Sequence, residues 1–383
     1  MARSAAGLVA LVVVIATVGG WPGRVHACPF CGVVGDSLAM RRDAADVAAV
    51  GEAEGAAMTG SDGFLAQDFR IDQVLRGTLP AGTTTATARV DGPLTGTALL
   101  FGSTSGGPLR WSAVGANEAL LGYAAAAPAT SLAAAERLHW FARCLEHPEP
   151  AIAADAFTEF GLAPFEAVRE AADAFDADAL ASWINEPGID ARRRGFYGLA
   201  AGIVAAHATD AATQRRLREA LDAAIDAPAD DFRAGFDGLL AGLLVAEGAA
   251  GLDALDRRGL FAPTARPLDQ RHLLAALRFA WESLGDTIPR DRVATATARL
   301  LASPAMAADA AVDLARYSAW ANVDDVARLW GTLGRDDPLV RRAVAGYLAA
   351  CPLPVARAHL ERLRAADPAF LNAALEAARG PAK

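Results

Sequence analysis

Lysine is nearly missing from this chain: the only one is Lys383, so the basic charge is almost entirely arginine. Acidic residues outnumber basic ones, 45 to 36, for a net charge of −9. With no Lys/Arg-rich block, this balance excludes nucleic acid as a partner, because that binding rests on neutralising phosphates. Histidine is scarce as well. Past residue 27 only His139, His147, His207, His272 and His359 occur, and no two stand four apart with a glutamate between them. Neither a metal motif nor a phosphate-cradling loop nor a Gly-x-Ser-x-Gly turn is present, so no metal or other cofactor is expected. The acidic pairs Asp230-Asp231, Asp324-Asp325 and Asp336-Asp337 fall where helices are expected to begin, and negative charge is favourable there. With no catalytic constellation, the chain reads as non-enzymatic.

What is present in quantity is apolar: 53% of the 383 residues are hydrophobic, enough for two domains with substantial cores. The first 27 residues read as a secretory signal, with Arg3, the apolar run Leu8–Val18 and a break at Gly19-Gly20-Trp21-Pro22. Small or aliphatic residues at Val25 and Ala27 place cleavage after Ala27, which predicts a secreted or periplasmic protein. The apolar run, at about 11 residues, falls short of the roughly 20 that a membrane span needs, so none is expected after signal removal. Val-x-Ala-Cys resembles a lipobox, which would anchor the chain at Cys28; Arg24 and His26, between the apolar run and that cysteine, count against it.

Cleavage there would expose Cys28-Pro29-Phe30-Cys31 as the new N-terminus and carry Cys28, Cys31, Cys144 and Cys351 into an oxidising compartment. Four thiols allow three pairings, and sequence does not choose among them. The spacing of Cys28 and Cys31 suits thiol-disulfide exchange, which makes an oxidoreductase the alternative function. That chemistry requires a thioredoxin-like frame ahead of the motif, and none precedes it, so a structural role is favoured. Haem attachment is excluded because Gly32 follows Cys31, and a zinc site lacks a second close pair.

A short helix is expected over residues 37–45. Strands follow over 46–54, 69–77, 83–90 and 97–102, with Trp111 and residues 117–126 closing the unit. Four or five short antiparallel strands are what a small β-barrel needs to hide its edges. Behind an N-terminal cysteine, the strand with Ala45-Asp46-Val47, then Phe69-x-Ile71-x-x-Val74-Leu75-Arg76-Gly77, then Gly96-x-Ala98-Leu99-Leu100-Phe101 resembles the netrin/TIMP-type OB-fold. In that family the mature N-terminal cysteine chelates the zinc of a target metalloprotease. The resemblance therefore implies a weaker alternative, a protease inhibitor presenting Cys28, although Cys31 stands one residue further along than the family's second cysteine.

From Ser131, read as an N-cap, the periodicity becomes helical, with a helix running past Glu136 to His147. The clearest unit is Asp337 to Cys351. There Leu339/Val340, Ala343/Val344, Tyr347/Leu348 and Cys351 make one stripe, Pro338 opens the helix, and Pro352 and Pro354 stop it. Laid over the preceding chain, it finds a late apolar residue at Phe160, Leu199, Leu239, Leu277, Leu314 and Leu348, at intervals of 34 to 40 residues. Four positions earlier stand Ala156, Gly195, Gly235, Leu273, Ala310 and Val344, mostly small, and Pro150, Asp190, Asp230, Pro267, Pro304 and Pro338 open the copies. Asp337-Pro338-Leu339-Val340-Arg341-Arg342-Ala343 is similar to the HEAT-repeat pattern, from which the earlier copies depart. Taken whole, the order of parts resembles a family of secreted bacterial proteins.

The expected fold class is therefore α+β in two domains: an OB-like barrel over 28–127 and an α-solenoid of HEAT-like helix pairs over 128–383. Such arrays mostly act by binding, so the expected function is an extracytoplasmic binding or scaffold protein. Candidate surface residues are Arg192, Arg193, Arg194, Arg215, Arg216, Arg341 and Arg342, which could line a concave face for a protein, an acidic peptide or a carboxylate-rich glycan. Salt bridges between repeats are the stronger reading of them. Phe196, Tyr197, Phe236, Phe279, Trp281, Tyr317, Trp320 and Trp330, at helical spacing, are expected in the core.

Overall fold

The computed structural model describes residues 35–60, 62–104, 107–228 and 231–379. The signal segment, its cleavage site, Cys28, Cys31 and Asp230 lie outside the described residues.

The chain enters through α1 (Leu38–Ala44), whose first turn is capped by the Ser37 hydroxyl accepting from the Met40 N–H. Five strands follow: β1 (Val47–Thr59), β2 (Leu65–Arg76), β3 (Thr85–Arg89), β4 (Thr97–Ser103) and β5 (Arg110–Gly115). They close into a barrel in the order β1-β2-β3-β5-β4. The expectation of a wholly antiparallel barrel needs correction, because β3 and β5 pair in parallel. Closure forces this. The strands β1 to β3 alternate in direction, β4 runs against β1 and β5 against β4, so β5 arrives beside β3 pointing the same way.

Inside the barrel Phe69 and Trp111 supply the bulk, and alanines at 49, 86, 88, 98 and 113 make room for them. On the outside of β1 and β4, Ala48, Leu99 and Phe101 join a second core shared with α1 and the helices downstream. Both faces of β4 are therefore covered, which explains why Ala98-Leu99-Leu100-Phe101 is apolar without alternation.

The helices are α2 (Glu118–Ala126), α3 (Ala134–Phe141), α4 (Pro150–Leu162), α5 (Phe165–Glu170), α6 (Ala177–Trp183), α7 (Ala191–His207), α8 (Ala211–Asp226), α9 (Phe236–Glu247), α10 (Ala249–Arg257), α11 (Pro267–Ser283), α12 (Arg290–Arg299), α13 (Ala307–Arg316), α14 (Val323–Arg328), α15 (Pro338–Ala350), α16 (Pro354–Ala366) and α17 (Pro368–Arg379). Residues 117–126 are a helix capped by Asn117, so α2 abuts the barrel without adding a strand. Ser131 caps nothing. Helix α3 begins at Ala134 and ends at Phe141, followed by one tight turn over 142–144, because prolines at 148 and 150 hold the residues before them out of helical geometry.

Beyond α6 the helices alternate between two layers. In one, α7 packs on α9, α9 on α11, α13 on α15 and α15 on α17. Trp281 of α11 stacks on Tyr317 just past α13 at 4.0 Å, and Arg278 of α11 donates to Asp313 of α13 at 2.6 Å. The other layer is tied by Arg258 to Asp222, Arg292 to Asp253 and Arg299 to Asp256, linking α8, α10 and α12. The recurrent residues Phe160, Leu199, Leu239, Leu277, Leu314 and Leu348 fall on α4, α7, α9, α11, α13 and α15, and all are buried.

Pro150, Pro267 and Pro338 each occupy a first helical turn, and Asp190 caps α7. Pro304 instead lies in a turn three residues before α13. Pro354 opens α16 rather than merely stopping α15. No helix among the described residues is long and apolar enough to cross a membrane.

Candidate functional site

A groove of about 700 Å³ runs between α13 and α15, with the start of α11 and the end of α17 at its margins. Many of the residues facing it are small, Ala308, Ala315, Ala343, Gly346 and Ala378, which leaves room between the two helices. Two aliphatic side chains rise beside them, Val312 at 37% and Leu339 at 64% exposure. Leu339 was expected on the buried stripe of α15. Val340, Ala343, Val344, Tyr347 and Leu348 are buried there, whereas Leu339, one step round the helix, faces out.

Three arginines line the groove, Arg271, Arg316 and Arg342, against two aspartates, Asp309 and Asp337. Arg316 is held in place by Asp313, a fully buried carboxylate that accepts from Arg278 at 2.6 Å and from Arg316 at 3.2 Å. Burial pushes the Asp313 carboxyl upward, opposed by the two guanidinium groups. Asp337 caps α15 by accepting from the Leu339 N–H at 2.8 Å, so its charge is already engaged with the helix terminus. Arg271 and Arg342 are exposed and have no ion-pair partner among the described residues. With Asp309 also exposed, the lining holds three arginines against two aspartates, a surplus of one positive charge on a chain whose overall charge is −9.

Of the seven arginines singled out in the sequence, only Arg342 reaches this groove. Arg193 pairs with Glu146 at 3.1 Å, and Glu146 also accepts from the Tyr197 hydroxyl at 2.5 Å. Arg216 pairs with Asp178. Arg194 donates to the Glu186 carbonyl and lines a separate hollow of about 480 Å³ between α6, α7, α8 and α9. The Arg341 guanidinium lies over Phe370 at 4.3 Å and Trp330 at 5.3 Å. Arg192 and Arg215 are exposed elsewhere on α7 and α8. The residues that sequence reasoning passed over, Arg271 and Arg316, left a signal in one case. Arg271 stands four residues after Pro267, as Arg342 stands four after Pro338, so the two hold the same place in their helices.

A second polar cluster sits where α1 meets α4. Asp155 accepts from the Leu38 N–H at 2.7 Å and from the Tyr123 hydroxyl at 2.8 Å. One turn on, Glu159 accepts from Ser37 at 2.5 Å and from Arg137 through both carboxylate oxygens at 2.6 Å. Burial raises both carboxyls, with the surrounding donors pulling the other way. Raised carboxyls are what a general acid needs, but here the oxygens are taken up by protein donors within the core. The arrangement works as a joint that locks the helix leading into the barrel onto the helical layers.

Cys144 is half-buried, Cys351 is buried, and both are free thiols. Burial pushes the Cys144 thiol up, away from the reactive thiolate. Among the described residues no group of His, Cys, Asp and Glu could hold a metal ion. His139 and His359 pair singly, with Asp173 and Asp324. Compared with known proteins, the chain matches no family model, and neither a curated protein nor a solved structure is similar to it.

Proposed function

We propose that this chain is an extracytoplasmic binding protein without catalytic activity, in which an OB-type barrel leads into a HEAT-like solenoid and the groove between α13 and α15 receives the partner. The barrel's strand order and its parallel seam support the first fold assignment, and the layered alternation of helices from α7 to α17 supports the second. The observation that carries the function is the groove itself. Exposed aliphatic side chains beside arginines without ion-pair partners, between two packed helices, suit recognition of a partner.

The test is capture. The full chain, immobilised, is exposed to the extracytoplasmic fraction of its native cells beside two charge-reversed forms, Arg271→Glu/Arg342→Glu and Arg192→Glu/Arg215→Glu. A partner retained by the native chain and by the second form, and lost by the first, is the expected result. Equal retention by all three, or turnover of a dithiol substrate that Cys28→Ser abolishes, would overturn this reading in favour of another surface or of thiol-disulfide exchange.

A further inference from the structure

We infer that the groove's ligand is an acidic peptide segment bearing an aliphatic side chain, an inference that rests on the binding function proposed above and names the partner's chemistry. Two observations combine to specify it. Leu339 is 64% exposed and Val312 37%, although each is an aliphatic residue on a helix whose neighbouring apolar positions are buried. Arg271 and Arg342 line the same groove without an ion-pair partner among the described residues, beside Asp309 and the helix-capping Asp337, and Arg316 is held at it by Asp313.

A ligand that satisfies both must offer carboxylates and an apolar side chain within one short span. An alternating Asp/Glu and Leu peptide does so, because its backbone spaces the two kinds of group a few ångström apart. A carboxylate-rich glycan meets the arginines but offers no aliphatic group to cover Val312 and Leu339. A purely apolar segment would cover Arg271 and Arg342 without giving either a partner, which is costly. The small side chains Ala308, Ala315, Ala343, Gly346 and Ala378 in the lining add room for a peptide side chain.

The experiment uses fluorescence anisotropy of the full chain with a labelled twelve-residue peptide alternating acidic residues and leucine. Three probes accompany it: the same peptide with serine for leucine, the same with lysine for the acids, and an unlabelled heparin-type oligosaccharide as competitor. Binding of the first peptide is expected to weaken at least about tenfold on loss of either feature from the peptide, and by a similar factor in Arg271→Glu/Arg342→Glu and in Leu339→Ser. These residues are exposed, so unchanged melting curves for the variants are part of the expected result. Binding that ignores the leucine, binding unaffected by the groove variants, or displacement by the oligosaccharide at lower concentration than by unlabelled peptide would overturn the inference. If native-partner capture remains groove-dependent while the acidic peptide fails to bind, the ligand class is wrong and the binding function stands. If both fail, the function itself is wrong.

Discussion

Gly202 of α7 and Gly242 of α9 face one another so closely that a Cβ on Gly202 would lie 2.1 Å from the Gly242 carbonyl oxygen. The contact is one of a series. A Cβ on Gly242 would reach the Gly198 oxygen at 2.0 Å, and one on Gly238 the Gly195 oxygen at 2.1 Å. Positions 195, 198 and 202 have the same spacing as 235, 238 and 242, and the two helices meet there backbone to backbone.

Gly242→Ala is therefore expected to cost about 3 kcal/mol, the upper part of the range for overpacking, since the obstructing atom is backbone and cannot rotate away. Gly122→Ala in α2, where no atom lies within 4 Å of the added Cβ, is expected to stabilise by roughly 0.5–1 kcal/mol through helix propensity. Denaturant unfolding of the two variants beside the native chain checks the opposite signs.

The joint at α1 gives a second expectation. Glu159→Leu alone strands Arg137 in the core without its partner and should destabilise by about 3–5 kcal/mol. Adding Arg137→Met should recover most of that loss, so that the double variant is far less damaged than the sum of its parts. Additive costs in unfolding experiments would mean that the pair is not coupled.

His272 of α11 supplies a pH dependence. Nearly buried, it donates through Nε2 to the Phe232 carbonyl at 3.0 Å and has the Asp237 carboxylate 3.7 Å from Nδ1, with Asp269 and Arg233 also close by. Burial works to lower its pKa, and the neighbouring Asp237 carboxylate and the hydrogen bond to the Phe232 carbonyl, helped by the Asp269 charge, outweigh that and raise it. A histidine with a raised folded pKa stabilises fully below its unfolded value, about 6.5, and that contribution is lost as pH rises through the folded value. The melting-temperature gap between the native chain and His272→Gln should therefore be widest near pH 5.5 and shrink toward pH 9. A gap that widens with pH would contradict the assignment of Asp237 as partner.

Much of this was legible in the sequence, and the rest was hidden for definable reasons. The stripe on α15 was readable because burial follows the helical period, and the same register laid over earlier residues lands on buried positions in α4, α7, α9, α11 and α13. Gly195 and Gly235 already suggested close approach; what the period alone did not reveal was that 198, 202, 238 and 242 continue the seam. The parallel pairing of β3 and β5 follows from the order of barrel closure, which no single strand encodes. The groove escaped because it depends on neighbours. Leu339 belongs to the apolar edge of α15 by sequence, and only the positions of α13 and α17 determine that this edge is left uncovered. The seven arginines chosen by clustering along the chain are scattered in space, whereas Arg271 and Arg342, 71 residues apart, line one groove.

The most direct measurement of the central claim is hydrogen–deuterium exchange of the full chain with and without its captured partner. The account predicts new amide protection in residues 304–316 and 338–350, the two walls of the groove, and around Arg271 at its margin, with exchange in the barrel strands unchanged. Protection appearing on the barrel instead, with α13 and α15 exchanging as before, would contradict it.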